Sequence, residues 1–185
     1  MKTASEVNGL GRPKPVAFQI VGYKNSGKTT LVSKLVNKLK VDDWSVITVK
    51  HHGHGGQPDF LKGKDTSLHI EAGACASLIE GGGRMILQVE HQSMSLKDQI
   101  ELLSFFKVDF LLIEGHKQED YPKAVLLRDQ NDLDLLEKLN NIVVVFFWED
   151  GMKENLGAFP HFHINDEAGQ LWMKNYLTNY QLSDF

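Results

Sequence analysis

A glycine-rich segment lies early in the chain, and it reads Gly22-Tyr23-Lys24-Asn25-Ser26-Gly27-Lys28-Thr29. It matches the pattern G-x-x-x-x-G-K-[ST] completely. Such a loop cradles phosphate groups when it joins a strand to a helix. The alternative interpretation is an ordinary glycine-containing turn with a solvated lysine. The flanking sequence distinguishes the two.

The segment is flanked by the two elements that the pattern requires. Before it, residues 16–21 form a short, apolar, β-branched run that is typical of a buried strand. After it, apolar residues recur at the spacing of an amphipathic helix, namely Leu31, Val32, Leu35, Val36 and Leu39. This context favours a phosphate-binding loop over an ordinary turn.

The residue types of the loop have physical reasons. Gly22 and Gly27 let the backbone curl so that its N–H groups point inward, at the positive end of the following helix. We expect Lys28 to bridge the β- and γ-phosphates of a triphosphate, and the Thr29 hydroxyl to ligate Mg²⁺. The predicted nucleotide site comprises Gly22, Tyr23, Lys24, Asn25, Ser26, Gly27, Lys28, Thr29 and Thr30, the last at the α-phosphate.

Strands and helices alternate along the rest of the chain. We predict strands at residues 45–49, 110–113, 124–127 and 142–147, and helices at 65–74, 96–106, 133–139 and after Asp166. Two short runs, 77–80 and 85–90, bracket Gly81-Gly82-Gly83-Arg84 as an antiparallel hairpin. The predicted fold class is α/β, a mostly parallel mixed sheet with helices on both faces, as in P-loop NTPases.

Glu114 follows the apolar strand at 110–113, at the edge of the sheet where α/β proteins place their ligands. It stands where a Walker B acid belongs, and we expect it to hold Mg²⁺ directly or through water. The alternative is a solvated glutamate at the end of a strand, because the usual residue at this position is Asp.

Composition and charge exclude several classes of protein. The chain has 185 residues and a formal net charge of −4, which provides no electrostatic footprint for nucleic acid. Cys75 is the only cysteine, so we expect a reducing cytoplasm rather than a disulfide-stapled secreted domain. No apolar run approaches the roughly 20 residues that span a bilayer, so no membrane partner is expected.

We predict that residues 1–15 form a flexible leader and that residues 16–185 form one compact nucleotide-binding domain.

Four motifs in order carry a resemblance to a known family. They are the loop at residues 22–30, Thr48-Val49-Lys50-His51-His52, Gly63-Lys64-Asp65-Thr66-Ser67-Leu68-His69-Ile70-Glu71-Ala72-Gly73-Ala74, and Ile113-Glu114-Gly115-His116-Lys117. With these motifs, residues 16–147 resemble molybdopterin-guanine dinucleotide biosynthesis protein B, the MobB family.

The resemblance implies a dimeric GTP-binding P-loop protein with weak GTPase activity and bound Mg²⁺. Its implied function in molybdenum cofactor biosynthesis is to assist the molybdopterin guanylyltransferase that attaches GMP to molybdopterin. The loop near the nucleotide then falls on Lys50, His51, His52 and Asp65, although Asp65 is equally suited to cap a helix. The chain departs from the family pattern at His116, where an aromatic residue is expected. No Asn-Lys-x-Asp guanine signature is present, so the choice of GTP over ATP rests on the resemblance.

A metallochaperone-type GTPase is one alternative function. His51, His52 and His54 are close enough along the chain to ligate a transition metal, and Cys75 could add a soft ligand. However, histidines in a glycine-flanked loop beside phosphate also act as hydrogen-bond donors, and no Cys-x-x-Cys accompanies the cluster.

A small-molecule P-loop kinase is the other alternative, since it uses the same cradle. Such a kinase normally adds an arginine-rich lid, whereas this chain has three widely separated arginines, Arg12, Arg84 and Arg128. Arg128 and Asp129 follow a predicted strand, where they either contact the base or ribose or form an ordinary turn.

Overall fold

The computed structural model describes residues 15–53, 65–90 and 93–183. They divide into two compact units, one containing the chain up to His51 and from Leu102 onward, the other containing His52–Glu101. The predicted leader at residues 1–15 falls almost entirely outside the described residues, as does His54.

The elements follow in the order β1 (Val16–Gly22), α1 (Lys28–Val41), β2 (Val46–Lys50), α2 (Asp65–Glu71), β3 (Ala76–Gly81), β4 (Arg84–Val89), α3 (Leu96–Ser104), β5 (Phe110–Glu114), β6 (Lys123–Leu127), α4 (Asp134–Lys138), β7 (Ile142–Phe147), β8 (His161–His163) and α5 (Glu167–Ser183). Two 3₁₀ segments, Gln130–Asp132 and Asp150–Asn155, precede α4 and β8 respectively.

The larger unit is built on a six-stranded sheet in the order β2-β5-β1-β6-β7-β8. Every neighbouring pair is parallel, so all six strands end at the same edge. The register pairs Ile20 of β1 with Glu114 of β5, and Glu114 in turn with Lys50 of β2. Three of the predicted motifs, which follow or end β1, β2 and β5, therefore lie side by side at the carboxyl edge.

One face of the sheet is covered by α1 and α5. Alternate residues of the strands, including Phe18, Leu112 and Phe146, pack in one buried cluster with Leu35 of α1 and Met173 of α5. This alternation follows from the pleat, which points successive side chains to opposite faces. The amphipathic helix predicted after the loop is confirmed, and its apolar stripe is what binds α1 to the sheet.

The opposite face of β6 and β7 carries a second core. Val125, Val145 and Phe147 pack there with Leu135 of α4 and Met152 of the second 3₁₀ segment. Because both faces are covered, the central strands read as continuous apolar runs rather than as alternating ones. The predicted α/β class is confirmed, and the six-stranded sheet is entirely parallel rather than mixed, because the antiparallel hairpin forms a sheet of its own.

The smaller unit contains α2 and the antiparallel hairpin β3–β4, which confirms the hairpin predicted around Gly81-Gly82-Gly83-Arg84. Gly82 and Gly83 both have positive φ, as its tight turn requires. The predicted helix at 65–74 is shorter than expected, since α2 ends at Glu71. Gly73, at φ 104°, ends it with the left-handed conformation that commonly follows a helix.

Strand β8 was missed by the sequence analysis. It has three residues, in which two histidines flank Phe162, so it carries no apolar run to identify it. Its pairing with β7 comes from tertiary structure: the Val145 amide donates to the carbonyl of Pro160 at 2.9 Å. The helix predicted at 133–139 is also shorter, because α4 covers only Asp134–Lys138. Across the described ranges, no helix combines the length and apolar character needed to cross a membrane.

The packing of α5 gives a stability prediction. A Cβ at Gly169 would lie 2.6 Å from Phe146 Cε1 and 2.7 Å from Phe162 Cβ, so Gly169→Ala must displace two rings. Overpacking of this kind costs about 1–3 kcal/mol, which outweighs the gain of about 1 kcal/mol in helix propensity. We expect a melting temperature lower by a few degrees. Gly151→Ala, where no atom lies within 4 Å of the added Cβ, serves as the control. A more stable Gly169→Ala variant would contradict the packing described.

Candidate functional site

The glycine-rich loop joins β1 to α1 through a turn that leaves no room for a side chain at Gly22. A Cβ at Gly22 would lie 2.6 Å from Ser26 Oγ and 2.7 Å from the carbonyl oxygen of Leu126 in β6. Asn25 and Gly27 have φ of 61° and 92°. The loop therefore curls tightly over the sheet edge and ends at Gly27, which precedes the first residue of α1.

The start of α1 is suited to an anion. The first N–H groups of an α-helix have no partner within the helix, and they carry the positive end of its dipole. No acidic side chain lies in the first turn of α1. This end of the helix thus has donors and positive potential, and no carboxylate of its own to neutralise it.

Lys28 lies in the middle of this region. Its ammonium donates to the Tyr23 carbonyl at 2.6 Å and lies 3.5 Å from Ser26 Oγ. Burial lowers the pKa of Lys28, Glu114 opposes this shift, and further cations lower the pKa again, namely Lys117, Lys50 and Arg128. A negative ligand here would stabilise the charged ammonium.

Thr29, Glu114 and Lys50 form a compact polar cluster beside the loop. The Thr29 hydroxyl donates to Glu114 Oε1 at 2.7 Å and accepts from Lys50 Nζ at 3.0 Å. Lys50 Nζ also lies 3.1 Å from Glu114 Oε1. Glu114 is only 7% exposed, so it is not the solvated strand-end glutamate of the alternative interpretation. The structure brings together the hydroxyl and the carboxylate that the sequence predicted as metal ligands.

His51 lies against His116, with ring centroids 4.7 Å apart. The turn after β5 makes this possible, because Gly115 and His116 both have positive φ. The buried Gln19 of β1 fixes that turn by donating from Nε2 to the carbonyls of Gly115 and His116, at 3.2 and 2.8 Å. Burial and then the nearby His51 lower the pKa of His116. His116, the residue that departs from the family pattern, thus packs against the predicted loop residue His51.

The other predicted loop residues belong to the smaller unit. His52 is exposed, and Asp65 is the first residue of α2. Among the described residues, no group of three His, Cys, Asp or Glu side chains could hold a metal ion, but His54 is not one of them. A role for His52 and Asp65 at the nucleotide stays a prediction, as does a metal site that includes His54.

Sequence reasoning missed how β6 supports the loop. Arg128 binds Asp132 through Nη2–Oδ1 and Nε–Oδ2 contacts of 2.7 and 2.8 Å, and its Nη1 donates to the Lys24 carbonyl at 3.1 Å. Asp129 caps the following 3₁₀ segment, as the ordinary-turn interpretation expects. Arg128 thus fixes the loop backbone at Lys24, and its contact with a base or ribose stays a prediction.

Two aromatic residues also hold the loop. The Tyr23 hydroxyl donates to Asp134 Oδ2 at 2.8 Å, and Lys117 Nζ lies 4.2 Å from the centre of the Tyr23 ring. On the other side, Trp148 Nε1 donates to the Ser26 carbonyl at 3.0 Å. The two hydrogen bonds have no sequence signal, because each joins residues more than a hundred positions apart.

These features define the class of protein. A parallel sheet, a complete G-x-x-x-x-G-K-T loop between β1 and α1, and a buried acid at the end of the neighbouring β5 are those of a P-loop α/β protein. A family model described as molybdopterin guanine dinucleotide synthesis protein B, MobB, matches residues 17–148. The chain belongs to this family.

Individual relatives agree with this assignment. A Bacillus subtilis protein described as a probable molybdopterin-guanine dinucleotide biosynthesis adapter protein is 40% identical over 158 residues, which cover 85% of this chain and 90% of that one. The crystal structure of Bacillus subtilis MobB superposes with a TM-score of 0.74 at 33% identity, covering 86% of this chain and 96% of that one. A MobB homologue from Bacillus stearothermophilus gives a TM-score of 0.70 at 34% identity, covering 88% and 98%. The chain is therefore an adapter protein of molybdopterin-guanine dinucleotide biosynthesis.

Proposed function

We propose that this protein binds GTP and Mg²⁺ in the loop at residues 22–30, hydrolyses the GTP slowly, and assists a separate molybdopterin guanylyltransferase as an adapter. The observation that carries the proposal is the convergence of Lys28, Thr29 and Glu114 at the carboxyl edge of the sheet, in a chain of this family. The chemistry of nucleotidyl transfer belongs to the partner enzyme, and the cytoplasm is the expected location.

The charges around the loop support a triphosphate as the ligand. Lys28 is partly buried among other cations, and the open N–H groups of α1 add positive potential at the same place. Phosphate oxygens satisfy those donors and offset the mutual repulsion of the lysines. The Lys28 ammonium donates to the Tyr23 carbonyl of its own loop, and phosphate oxygens would take the place of that acceptor.

The cluster of Thr29 and Glu114 supports Mg²⁺. The metal prefers hard oxygen ligands, and it is typically held by one or two protein groups together with phosphate oxygens and water. A hydroxyl and a buried carboxylate 2.7 Å apart provide such a set. Thr29 would bind the ion and Glu114 would hold it directly or through water, where the ion would offset the charge of the triphosphate.

The arginines support slow hydrolysis. Where a P-loop GTPase has an arginine finger, that finger contributes about 10³–10⁵ in rate. Arg128 is held by Asp132 and the Lys24 carbonyl, Arg84 lies in the hairpin of the smaller unit, and Arg12 lies outside the described residues. A protein that retains its GTP suits an adapter better than a fast hydrolase.

The hairpin β3–β4 supports the homodimer that the family resemblance implies. Ile79 and Ile86 lie opposite each other across the two strands, and they are 48% and 49% exposed. Leu78 and Leu87, a second opposite pair, are 56% and 42% exposed. A two-stranded ribbon is marginally stable by itself in water, and clustered exposed apolar residues mark interaction surfaces. We propose that a second copy of this chain covers the hairpin.

For the proposed Mg²⁺ site at Thr29 and Glu114, we predict that Glu114→Gln keeps the shape of the site but weakens the Mg²⁺ dependence of GTP binding. The reason is that an amide cannot offer the charged oxygens of a carboxylate to the ion. Calorimetric titrations of GTP with and without Mg²⁺ measure the effect, and Glu137→Gln on exposed α4 is the matched control. Unchanged Mg²⁺ dependence in Glu114→Gln would make the acid structural.

For the function we predict that Lys28→Ala folds but loses tight GTP binding and no longer stimulates cofactor formation. Purified guanylyltransferase, a molybdopterin-loaded acceptor enzyme and limiting GTP are mixed with each variant, and formation of molybdopterin guanine dinucleotide is measured. Lys40→Ala, at the exposed far end of α1, should stimulate like the wild type. Equal stimulation by Lys28→Ala, or none by the wild type, would refute the proposal.

For the dimer we predict that Ile79→Lys combined with Ile86→Lys produces a monomer, because two buried ammonium groups would face each other in the proposed interface. Light scattering coupled to size-exclusion chromatography gives the mass directly. Leu171→Lys, at an exposed leucine of α5, is the control and should remain dimeric. A monomeric wild type, or a dimeric double variant, would remove the hairpin as the interface.

A further inference from the structure

A cleft lies beside the phosphate loop, on the side away from Glu114. Gly27, Thr30 and Lys34 line it from the loop and α1, and Trp148, Ile164 and Asn165 line it from the ends of β7 and β8. In the sheet order, β5 lies on one side of β1, whereas β6, β7 and β8 follow on the other. The polar cluster of Thr29, Glu114 and Lys50 and this cleft are thus on opposite sides of the loop, along the same carboxyl edge.

The indole of Trp148 is held in a defined position in this cleft. Its Nε1 donates to the Ser26 carbonyl at 3.0 Å, and its Cζ2 lies so near the loop that a Cβ at Gly27 would approach it to 3.3 Å. The residue is nevertheless 41% exposed. Trp148 therefore presents an anchored aromatic surface next to the loop, and a planar ring can stack on such a surface.

The turn from β8 to α5 is also fixed. The Ile164 amide donates to the Phe147 carbonyl at 2.8 Å, and the Asn165 amide donates to His163 Nδ1 at 3.2 Å. His163 Nε2 in turn lies 3.0 Å from the Trp148 carbonyl oxygen. These contacts tie the turn to the end of β7, so the Asn165 carboxamide and the Trp148 indole belong to one supported wall.

We propose that this cleft binds the guanine base of the nucleotide, with the base stacked on Trp148 and its edge read by Lys34 and Asn165. The inference rests on the proposed binding of GTP. Thr29 is directed to Glu114 on the metal side, whereas the next residue, Thr30, lines the cleft. A nucleotide whose phosphates lie in the loop therefore has its base end directed past Thr30, towards Trp148.

The polar residues of the cleft favour guanine. Lys34 is a donor, and the carboxamide of Asn165 is both donor and acceptor. Guanine presents two acceptors, O6 and N7, along one edge, whereas adenine has an amino donor in place of O6. An ammonium group on the wall accordingly matches guanine and opposes adenine. The cleft would replace the Asn-Lys-x-Asp signature that the chain lacks.

The test measures binding of three ligands with Mg²⁺ by calorimetry, namely GTP, ATP and inorganic tripolyphosphate, which has no base. Stacking of a base on an aromatic side chain corresponds to roughly a 5- to 150-fold change in affinity. We expect Trp148→Ala to lose at least about fivefold in GTP affinity, and to lose less in tripolyphosphate affinity. We expect Asn165→Ala, which leaves the loop untouched, to lower the preference for GTP over ATP by about two- to tenfold. Asn179→Ala, at an exposed position of α5, is the matched control.

Three results would overturn the base site. If GTP affinity is unchanged in both variants while tripolyphosphate binding depends on Lys28, the cleft does not contact the base and the phosphate site stands. If Trp148→Ala weakens GTP and tripolyphosphate equally and Asn165→Ala changes neither, Trp148 only supports the loop. If tripolyphosphate and GTP both fail to bind the wild type, the proposed function fails together with the base site.

Discussion

The site depends on the close passage of the loop over the carboxyl edge of the sheet. Gly22 comes so near the Leu126 carbonyl and Ser26 Oγ that no Cβ fits between them. This approach sets the first turn of α1 over the edge, where Thr29 contacts Glu114 of β5 and Lys50 of β2. A wider turn would carry the same residues on the same helix but would leave Glu114 without the Thr29 hydroxyl. The chemistry follows from a steric constraint at one glycine.

Several long-range contacts hold the loop in that position. Arg128 fixes the Lys24 carbonyl, Tyr23 is held by Asp134, and Trp148 fixes the Ser26 carbonyl. They come from the end of β6, from α4 and from the end of β7, so the loop is supported from the half of the sheet on the other side of β1 from Glu114. The edge is divided accordingly: β5 and β2 provide the carboxylate and its lysine partner, whereas β6, β7 and β8 provide the supports and the cleft. Such preorganisation lowers the cost of ordering the loop when a ligand binds.

The sequence predicted what depends on local pattern and missed what depends on distant contact. The loop, the helix α1 and the acid at Glu114 were predicted because spacing, apolar periodicity and strand ends are local signals. Gln19 gave only a weak signal, a single amide in an apolar strand, and the turn that it holds after β5 is visible only in the structure. Arg128 was noticed, but its partner Lys24 lies 104 positions away. Strand β8 is paired into the sheet although its own three residues carry no strand pattern.

A crystal structure with Mg²⁺ and a non-hydrolysable GTP analogue would show directly whether the carboxyl edge of the sheet binds both, as we propose. We expect Lys28 Nζ to leave the Tyr23 carbonyl for the β- and γ-phosphates. We also expect Thr29 Oγ1 to lie about 2.0–2.1 Å from the ion, with Glu114 beside it. A nucleotide bound elsewhere, or phosphates in the loop while Lys28 still donates to Tyr23, would rule out the proposed site.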